Sequence, residues 1–410
     1  MKKSLFIVAL GAFALTSCSQ DEVLDVQKDA VQFSVVADKA SRGAVTTTDN
    51  ITNFMVNAFK ADVTSGGVVT GNLDQFFMKD VEVTGSNTAG WSYGVTKFWP
   101  TTDKINFYSY SPSDLTGVSV AAAAQTITHT VPTTCGNQID ILYALNTGLG
   151  KADGEVPVNF RHALAQIVFQ AENSKSDLEV VIDGVRIVNI KESGVFTWPT
   201  VATVDPNYST GDTGADTELA SKGWGTWAIG STYKSYPADI TNTTLTGVQA
   251  ATELTTDGNP LLVLPQEITS ATVTDNYMSI EEGKTFFAIS CKIYSIEGTT
   301  KTIVWPSSEG YAEVVIPATT PDGNVWKQGR KYIYTFVFGE GAGYIGEGGV
   351  DPSEPDDPTA PVVTPNGPNT TDPNESGDPV LVPVTFTVTV DQFQTVQQDT
   401  DMNTGNTVNP

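Results

Sequence analysis

Cys18 is the residue best placed for covalent chemistry. It closes the run Leu15-Thr16-Ser17-Cys18, in which small residues precede a thiol. Lys2 and Lys3 form a positive amino-terminal region, and the apolar run from Leu5 to Leu15 is too short to span a bilayer as a permanent helix. The pattern predicts a lipoprotein signal peptide over residues 1–17, cut before Cys18 once the thiol is lipidated. Two or more acyl chains hold such a terminus stably, because each buried CH₂ adds about 0.8 kcal/mol. An ordinary secretory signal with a chance cysteine after it would carry the same features.

Other chemistry-bearing patterns fail on inspection. Gly341-Ala342-Gly343-Tyr344-Ile345-Gly346 fits G-x-G-x-x-G, but Gly346-Glu347-Gly348-Gly349-Val350-Asp351-Pro352 cannot start the helix that a dinucleotide site needs. Asp372-Pro373-Asn374-Glu375-Ser376-Gly377 begins like a calcium loop, yet Pro383 stands where the bidentate Glu belongs. His129 and His162 are the only histidines, there is no H-E-x-x-H, and the three cysteines lack metal-ligand spacing. His162 reads best as a hydrogen-bonded strand residue. A Ser-His-Asp triad is compatible with any spacing, and nothing points to one. The chain is therefore expected to be no enzyme and to hold no cofactor or metal. Trp198, Trp224, Trp227, Tyr233 and Tyr236 allow a rival reading. Trp224, Trp227, Tyr233 and Tyr236 in particular could form an exposed platform on which the C–H faces of sugars stack, although the aromatic core of a sandwich has the same residue counts.

Removing residues 1–17 leaves 393 of 410, too many for one small β domain and comfortable for two. Lys and Arg number 22 against 47 Asp and Glu, a net charge of −25, so no basic patch meets phosphates and nucleic acid is excluded as a partner. Such an exterior suits a secreted, mutually repelling surface. Once Cys18 is lipidated, Cys135 and Cys291 remain, either as a disulfide of an oxidising compartment or as two buried thiols. Gly, Thr, Val and aromatics dominate, the composition of an all-β protein with many turns.

Period-2 alternation predicts strands at Val31–Val36, Phe54–Phe59, Ile105–Tyr110, Ile139–Leu145 and Lys331–Phe338, the last with Tyr332, Tyr334, Phe336 and Phe338 on one face. Shorter candidates lie at Val81–Val83, Trp91–Tyr93, Leu261–Leu264 and Val314–Ile316, and Phe286–Tyr294 is a longer one. His162–Ala171 is divided between helix and strand propensity. Leu178–Ile190 is strand-like, with Asp183-Gly184 marking a hairpin or a bulge. Residues 200–260 read as a long Thr/Gly/Ser-rich insertion. These elements place a tether over 18–30, one domain over 31–155 and a second over 156–349. Residues 350–379, rich in Pro and carrying Asp and Glu but no Lys or Arg, form a linker that could extend on the order of 90 Å. The final segment, 380–410, contains Val384-Thr385-Phe386-Thr387-Val388-Thr389-Val390, the cleanest alternation in the chain. Alone, such a strand is an aggregation hazard, so it returns to its own domain or joins another subunit.

Several motifs, in order, resemble the Mfa-like fimbrillin family of Bacteroides and relatives. They are Phe98-Trp99-Pro100 with Ile105-Asn106-Phe107-Tyr108 and Ser111-Pro112; Asp140-Ile141-Leu142-Tyr143-Ala144; Phe160-Arg161-His162-Ala163-Leu164-Ala165-Gln166-Ile167; Leu264-Pro265-Gln266; and Trp326 followed by Gly329-Arg330-Lys331-Tyr332. Together they cover nearly all of residues 30–340. Ser19-Gln20-Asp21-Glu22 likewise resembles the surface-export signal of Bacteroidetes lipoproteins, though an acidic tether would look the same. The resemblance implies two transthyretin-like β-sandwich domains in tandem, in an outer-membrane lipoprotein that becomes part of a surface fimbrium. It implies assembly with other fimbrial subunits by strand exchange, after a protease cuts beyond the first strand, here between Arg42 and Gly43. The strand to be lost is Val31–Val36, and the donor is Val384–Phe393, presenting Val384, Phe386, Val388, Val390 and Phe393. Host or bacterial surface ligands are further expected partners. The alternative is a glycan-binding surface lipoprotein that stays monomeric.

Overall fold

In the computed structural model of the chain, the described residues are 30–36, 46, 50–63, 69–121, 124–203, 223–256, 259–274, 277–279, 281–306, 310–320, 323–339, 345–347 and 385–392. Among them the secondary structure is strand plus two short 3-10 turns, with no α-helix. The all-β expectation holds.

The amino-terminal half is built on an antiparallel sheet. Its strands run in the order Arg161–His162, Leu142–Leu149, Lys104–Ser111, Asn53–Val63, Val69–Ser86, Gly90–Tyr93. Gln32–Val36 and Glu155–Asn159 form a separate parallel pair. Phe54, Val56, Ala58, Val83, Ile105, Phe107, Leu142, Val156, Val158 and Phe160 join the side chains of the first strand in one apolar core. The expected domain boundary at 155/156 gives way here. The ladder partner of the first strand begins at Glu155, and Arg161–His162 still pairs with Leu142–Leu149.

In the carboxy-terminal half, one sheet runs Gln249–Glu253, Ala165–Asn173, Arg330–Phe338, Thr385–Gln392. A second runs Tyr233–Pro237, Leu178–Lys191, Phe286–Glu297, Thr300–Trp305. Between them lie Phe169, Phe287, Tyr334 and Phe336, with Phe169 stacked on Phe336 at 5.7 Å and Phe287 at 4.5 Å from Tyr334. The divided segment at 162–171 is a strand, Ala165–Asn173. Its parallel ladder with Arg330–Phe338 buries Ile167 and Phe169, and β-branched and aromatic residues suit that setting better than a helix. Asp183-Gly184 marks a bulge, since Leu178–Lys191 continues past it with a register shift between Ile182 and Gly184. On the same sheet Arg186 and Glu313 form a buried two-point ion pair, Nε–Oε1 2.9 Å and Nη2–Oε2 2.7 Å, across the intervening strand Phe286–Glu297.

The expected insertion at 200–260 is largely sheet from residue 226 onward. Thr226–Ile229, Tyr233–Pro237, Thr243–Thr246 and Gln249–Glu253 each pair with a longer strand. Thr-rich sequence reads as loop by polarity, yet threonine fits a pleated edge well. A further sheet joins the halves: Thr226–Ile229, Ser193–Thr197, Ala124–Thr130, Val118–Ala121. Cys135 and Cys291 are both free, buried thiols. Cys135 Sγ lies 3.3 Å from the Pro237 carbonyl, and burial pushes its thiol up to about 11.

His129 lies on the joining sheet, opposite Gly194, and its Nε2 has no hydrogen-bond partner among the described residues. Burial lowers its pKa from 6.5 to about 4. The unfolded chain therefore takes up this proton at a higher pH than the folded chain does. Stability contributed by the neutral ring is complete above about pH 6.5 and is lost as pH falls toward 4, by about 3 kcal/mol in all. Urea denaturation across pH 4–7 should show this slope, and His129→Leu should flatten it; an unchanged slope in the variant would refute the assignment.

Candidate strand-binding groove

The first strand is seated by three side chains and a single ladder. In Val31-Gln32-Phe33-Ser34-Val35 the odd positions point inward: Val31, Phe33 and Val35 are 2%, 5% and 2% exposed, while Gln32 faces solvent. The Phe33 ring makes edge contacts with Phe54 and Tyr93 at 5.7 Å and with Phe107 at 6.1 Å. The walls are braced without it. Phe54 packs on Phe160 at 5.4 Å and on Trp91 at 5.2 Å, and Trp99 packs on Phe107 at 5.8 Å and donates Nε1–H to the Gly154 carbonyl. Burying two valines and a phenylalanine contributes roughly 5–9 kcal/mol.

The two edges of the strand differ. On one side it pairs in parallel with Glu155–Asn159, Gln32 opposite Glu155 through Val36 opposite Asn159. On the other, side chains replace most of a ladder. Tyr93 Oη donates to the Val31 carbonyl at 2.9 Å and Asn87 Nδ2 to the Val35 carbonyl at 2.8 Å, while the Val31 N–H donates to the Lys97 carbonyl at 2.9 Å. Asn87 also accepts the Trp91 indole N–H at 3.0 Å, so the hairpin turn doubles as a clamp. Gly85 permits that tight hairpin: its φ is +148°, and a Cβ there would stand 2.1 Å from the Gly90 carbonyl oxygen. Removing the strand therefore breaks one ladder and a few side-chain contacts, and leaves a groove with apolar walls.

Thr46 donates its backbone N–H to Asp140 Oδ2 at 2.7 Å. Asp140 Oδ1 lies 2.9 Å from His162 Nδ1, and both residues are buried. His162 is thus a hydrogen-bonded strand residue, as expected. The bond fastens the chain at Thr46, downstream of Arg42 and Gly43. Arg42, Gly43 and Cys18, the residue expected to be lipidated, lie outside the described residues.

The C-terminal strand Thr385–Gln392 pairs in its own chain, antiparallel to Arg330–Phe338, with Phe386 opposite Phe336, Val388 opposite Tyr334 and Val390 opposite Tyr332. Val384 and Phe393 lie outside the described residues.

The expected glycan platform does not form. Trp224 is 3% and Tyr236 1% exposed, and Trp227 and Tyr233 are only partly exposed. Trp224 lies under the Arg161 guanidinium, 4.3 Å from it, and Tyr236 Oη donates to the Val131 carbonyl. Trp227 packs on Phe196 and donates Nε1–H to the Ala163 carbonyl at 2.7 Å. These rings join the two halves, and buried aromatics with polar tips need such partners. Trp227 does edge a cleft of about 470 Å³, but the amides of Gln266 and Gln328 there are committed to Lys191, Leu264, Gly225 and Tyr143.

A sequence model described as fimbrillin-like matches residues 39–352. The chain belongs to the fimbrillin-like family. Its role is accordingly fimbrial or adhesion-related, at the cell surface, in a family of structural rather than catalytic proteins. No curated protein matches the sequence. Among solved structures, this fimbrillin-like chain is similar to the fimbrilin of Porphyromonas gingivalis, at 12% identity and TM-score 0.41, with 90% of this chain and 98% of that one covered. It is similar to the tip fimbrial protein Mfa3 of the same organism, C-terminally truncated, at 12% identity and TM-score 0.31, covering 75% and 95%. A Bacteroides uniformis protein named for a candidate role in cell adhesion matches at 15% identity and TM-score 0.41, covering 89% and 100%.

Sequence reasoning found the first strand of this fimbrillin-like chain but missed its partners. Nothing in the local sequence marks Glu155–Asn159, Tyr93 or Asn87 as its neighbours. Phe33→Ala should lower the unfolding free energy by about 3–5 kcal/mol, the usual cost of truncating a buried phenylalanine. A change below about 1 kcal/mol in urea denaturation would show that the ring does not hold the strand in place.

Proposed function

We propose that the chain is a structural or adhesive fimbrial subunit, made as a lipoprotein anchored in the outer membrane through Cys18, cut between Arg42 and Gly43, and assembled with other subunits by strand exchange. The observation that carries this reading is the asymmetric seating of Gln32–Val36. Three apolar side chains fill a braced aromatic groove, with a full ladder on one edge only. A strand held that way can leave without dismantling the sheets around it. An incoming strand can then restore the hydrogen bonds and fill alternate pockets.

The Thr46–Asp140 bond supports the same order of events. A cut after Arg42 frees the upstream strand, while the downstream chain stays fastened. The donor is the strand that includes Phe386, Val388 and Val390, which leaves the Arg330–Phe338 edge of its own chain to enter a neighbour's groove. The apolar walls give the step its driving force, and the donor's alternation gives it a face to match.

Limited trypsin digestion of the unlipidated protein, followed by mass spectrometry and electron microscopy, tests the reading. Cleavage at Arg42, loss of the first strand and the appearance of polymers are the expected results. An uncut Arg42, or a cut protein that stays monomeric with its C-terminal strand intact, would refute self-assembly by this route.

A further inference from the structure

The two strands at opposite ends of the chain share one pattern. Val31-Gln32-Phe33-Ser34-Val35 and Val384-Thr385-Phe386-Thr387-Val388 have the same residues at the first, third and fifth positions and polar ones between. In the groove it is the first, third and fifth residues that are buried. We propose that Phe386 of a second copy of this chain takes the Phe33 position, with Val384 and Val388 in those of Val31 and Val35, and that the donated strand runs parallel to Glu155–Asn159. This rests on the strand-exchange reading above and fixes its register and direction.

Shape selects that register. A slip of one residue turns threonines into the groove. A slip of two places a valine among Phe54, Tyr93 and Phe107 and forces Phe386 into a space shaped for valine. Only one placement puts phenylalanine where phenylalanine was. The substitutions at the outward positions favour the donor, because threonine suits a strand better than glutamine or serine. The side-chain clamps impose no further sequence demand. Tyr93 and Asn87 bind main-chain carbonyls, which any strand supplies. Pro383 falls at the Ala30 position, two residues before the ladder begins at Gln32 and at an isolated bridge to Phe98, where a proline is tolerated at a strand's start. The donor comes from a second copy because a contact in which each chain gives one strand and receives another is head-to-tail and open-ended, as a fibre requires.

The test uses trypsin-cut protein freed of its first strand, with peptides of residues 384–393. The native peptide should bind. The F386A peptide should bind about 30- to 150-fold more weakly, as should a peptide carrying F386V and V388F, in which the ring is moved by two positions. In the full chain, Ser34 lies opposite Pro157, so Thr387 is the residue that takes that place. With Pro157→Cys in every chain, a disulfide between subunits should form in polymers when Thr387→Cys is present, and not with Thr385→Cys or Thr389→Cys; the buried native thiols do not compete. Polymers cross-linked through 385 or 389, or indifferent to F386A, would overturn the register while leaving strand exchange intact. A Thr387 cross-link confined to monomers would overturn the second-copy assignment. No binding of the native peptide and no polymers would sink the strand-exchange reading itself, and this inference with it.

Discussion

Every backbone N–H and C=O of a buried strand must find a partner, and the first strand of this chain meets that demand unequally on its two edges. Glu155–Asn159 supplies a ladder, whereas the opposite edge depends chiefly on Tyr93, Asn87 and the Lys97 carbonyl. The apolar face carries most of the strand's attachment. A central strand with two full ladders would be locked into its sheet, and a surface strand without the Phe33 pocket would be held too weakly to complete the core. The amino-terminal core depends on this intermediate condition, since Val31, Phe33 and Val35 cover Phe54, Phe107, Val156 and Val158.

The groove keeps its shape because its walls are tied to the rest of the molecule independently of the strand. Phe160 faces Phe54 from a segment that continues into Arg161 and His162, and those two residues are held by Trp224 and Asp140. Tyr143 on the adjacent strand joins the Gly225 N–H to the Gln328 amide. Trp224 and Trp227, which the rival reading would assign to ligand capture, instead hold Arg161 and the Ala163 carbonyl in the segment that follows Phe160. The sheet containing Ala124–Thr130 and Ser193–Thr197 does the same at larger scale, stitching the two halves together by main-chain bonds.

How much of this was legible in the sequence depended on whether a segment's burial is one-sided. Gln32–Val36 and Arg330–Phe338 stand out by alternation, and Tyr332, Tyr334, Phe336 and Phe338 do share a buried face; Lys104–Ser111 alternates in sequence although both of its faces are buried. Val69–Ser86 hardly registered beyond Val81–Val83, because register shifts in its ladder with Asn53–Val63 break the period. Ala124–Thr130 was hidden by its polar residues. The short threonine strands after residue 226 read as an insertion because each borrows its stability from a longer neighbour. Of the groove, the inserted strand was legible and the receptor was not, since Asn87, Tyr93 and Glu155–Asn159 converge only through the fold.

On the strand-exchange proposal, the same alternation gives the C-terminal strand two compatible seats. At the Arg330–Phe338 edge it is antiparallel, with Phe386, Val388 and Val390 at positions opposite Phe336, Tyr334 and Tyr332. In the groove it would be parallel, between a ladder and two side-chain clamps. Parallel pairing is slightly weaker per residue, so the ladder alone does not favour the move. The difference has to come from the pocket. A groove stripped of its first strand exposes Phe54, Phe107 and Phe160 to water, and an incoming strand would recover that apolar burial. While the first strand is in place the pocket offers nothing and the strand stays at its own edge. On the strand-exchange proposal, loss of the first strand would shift the balance without altering the donor, and the occupancy of one phenylalanine pocket would separate a monomer from a subunit.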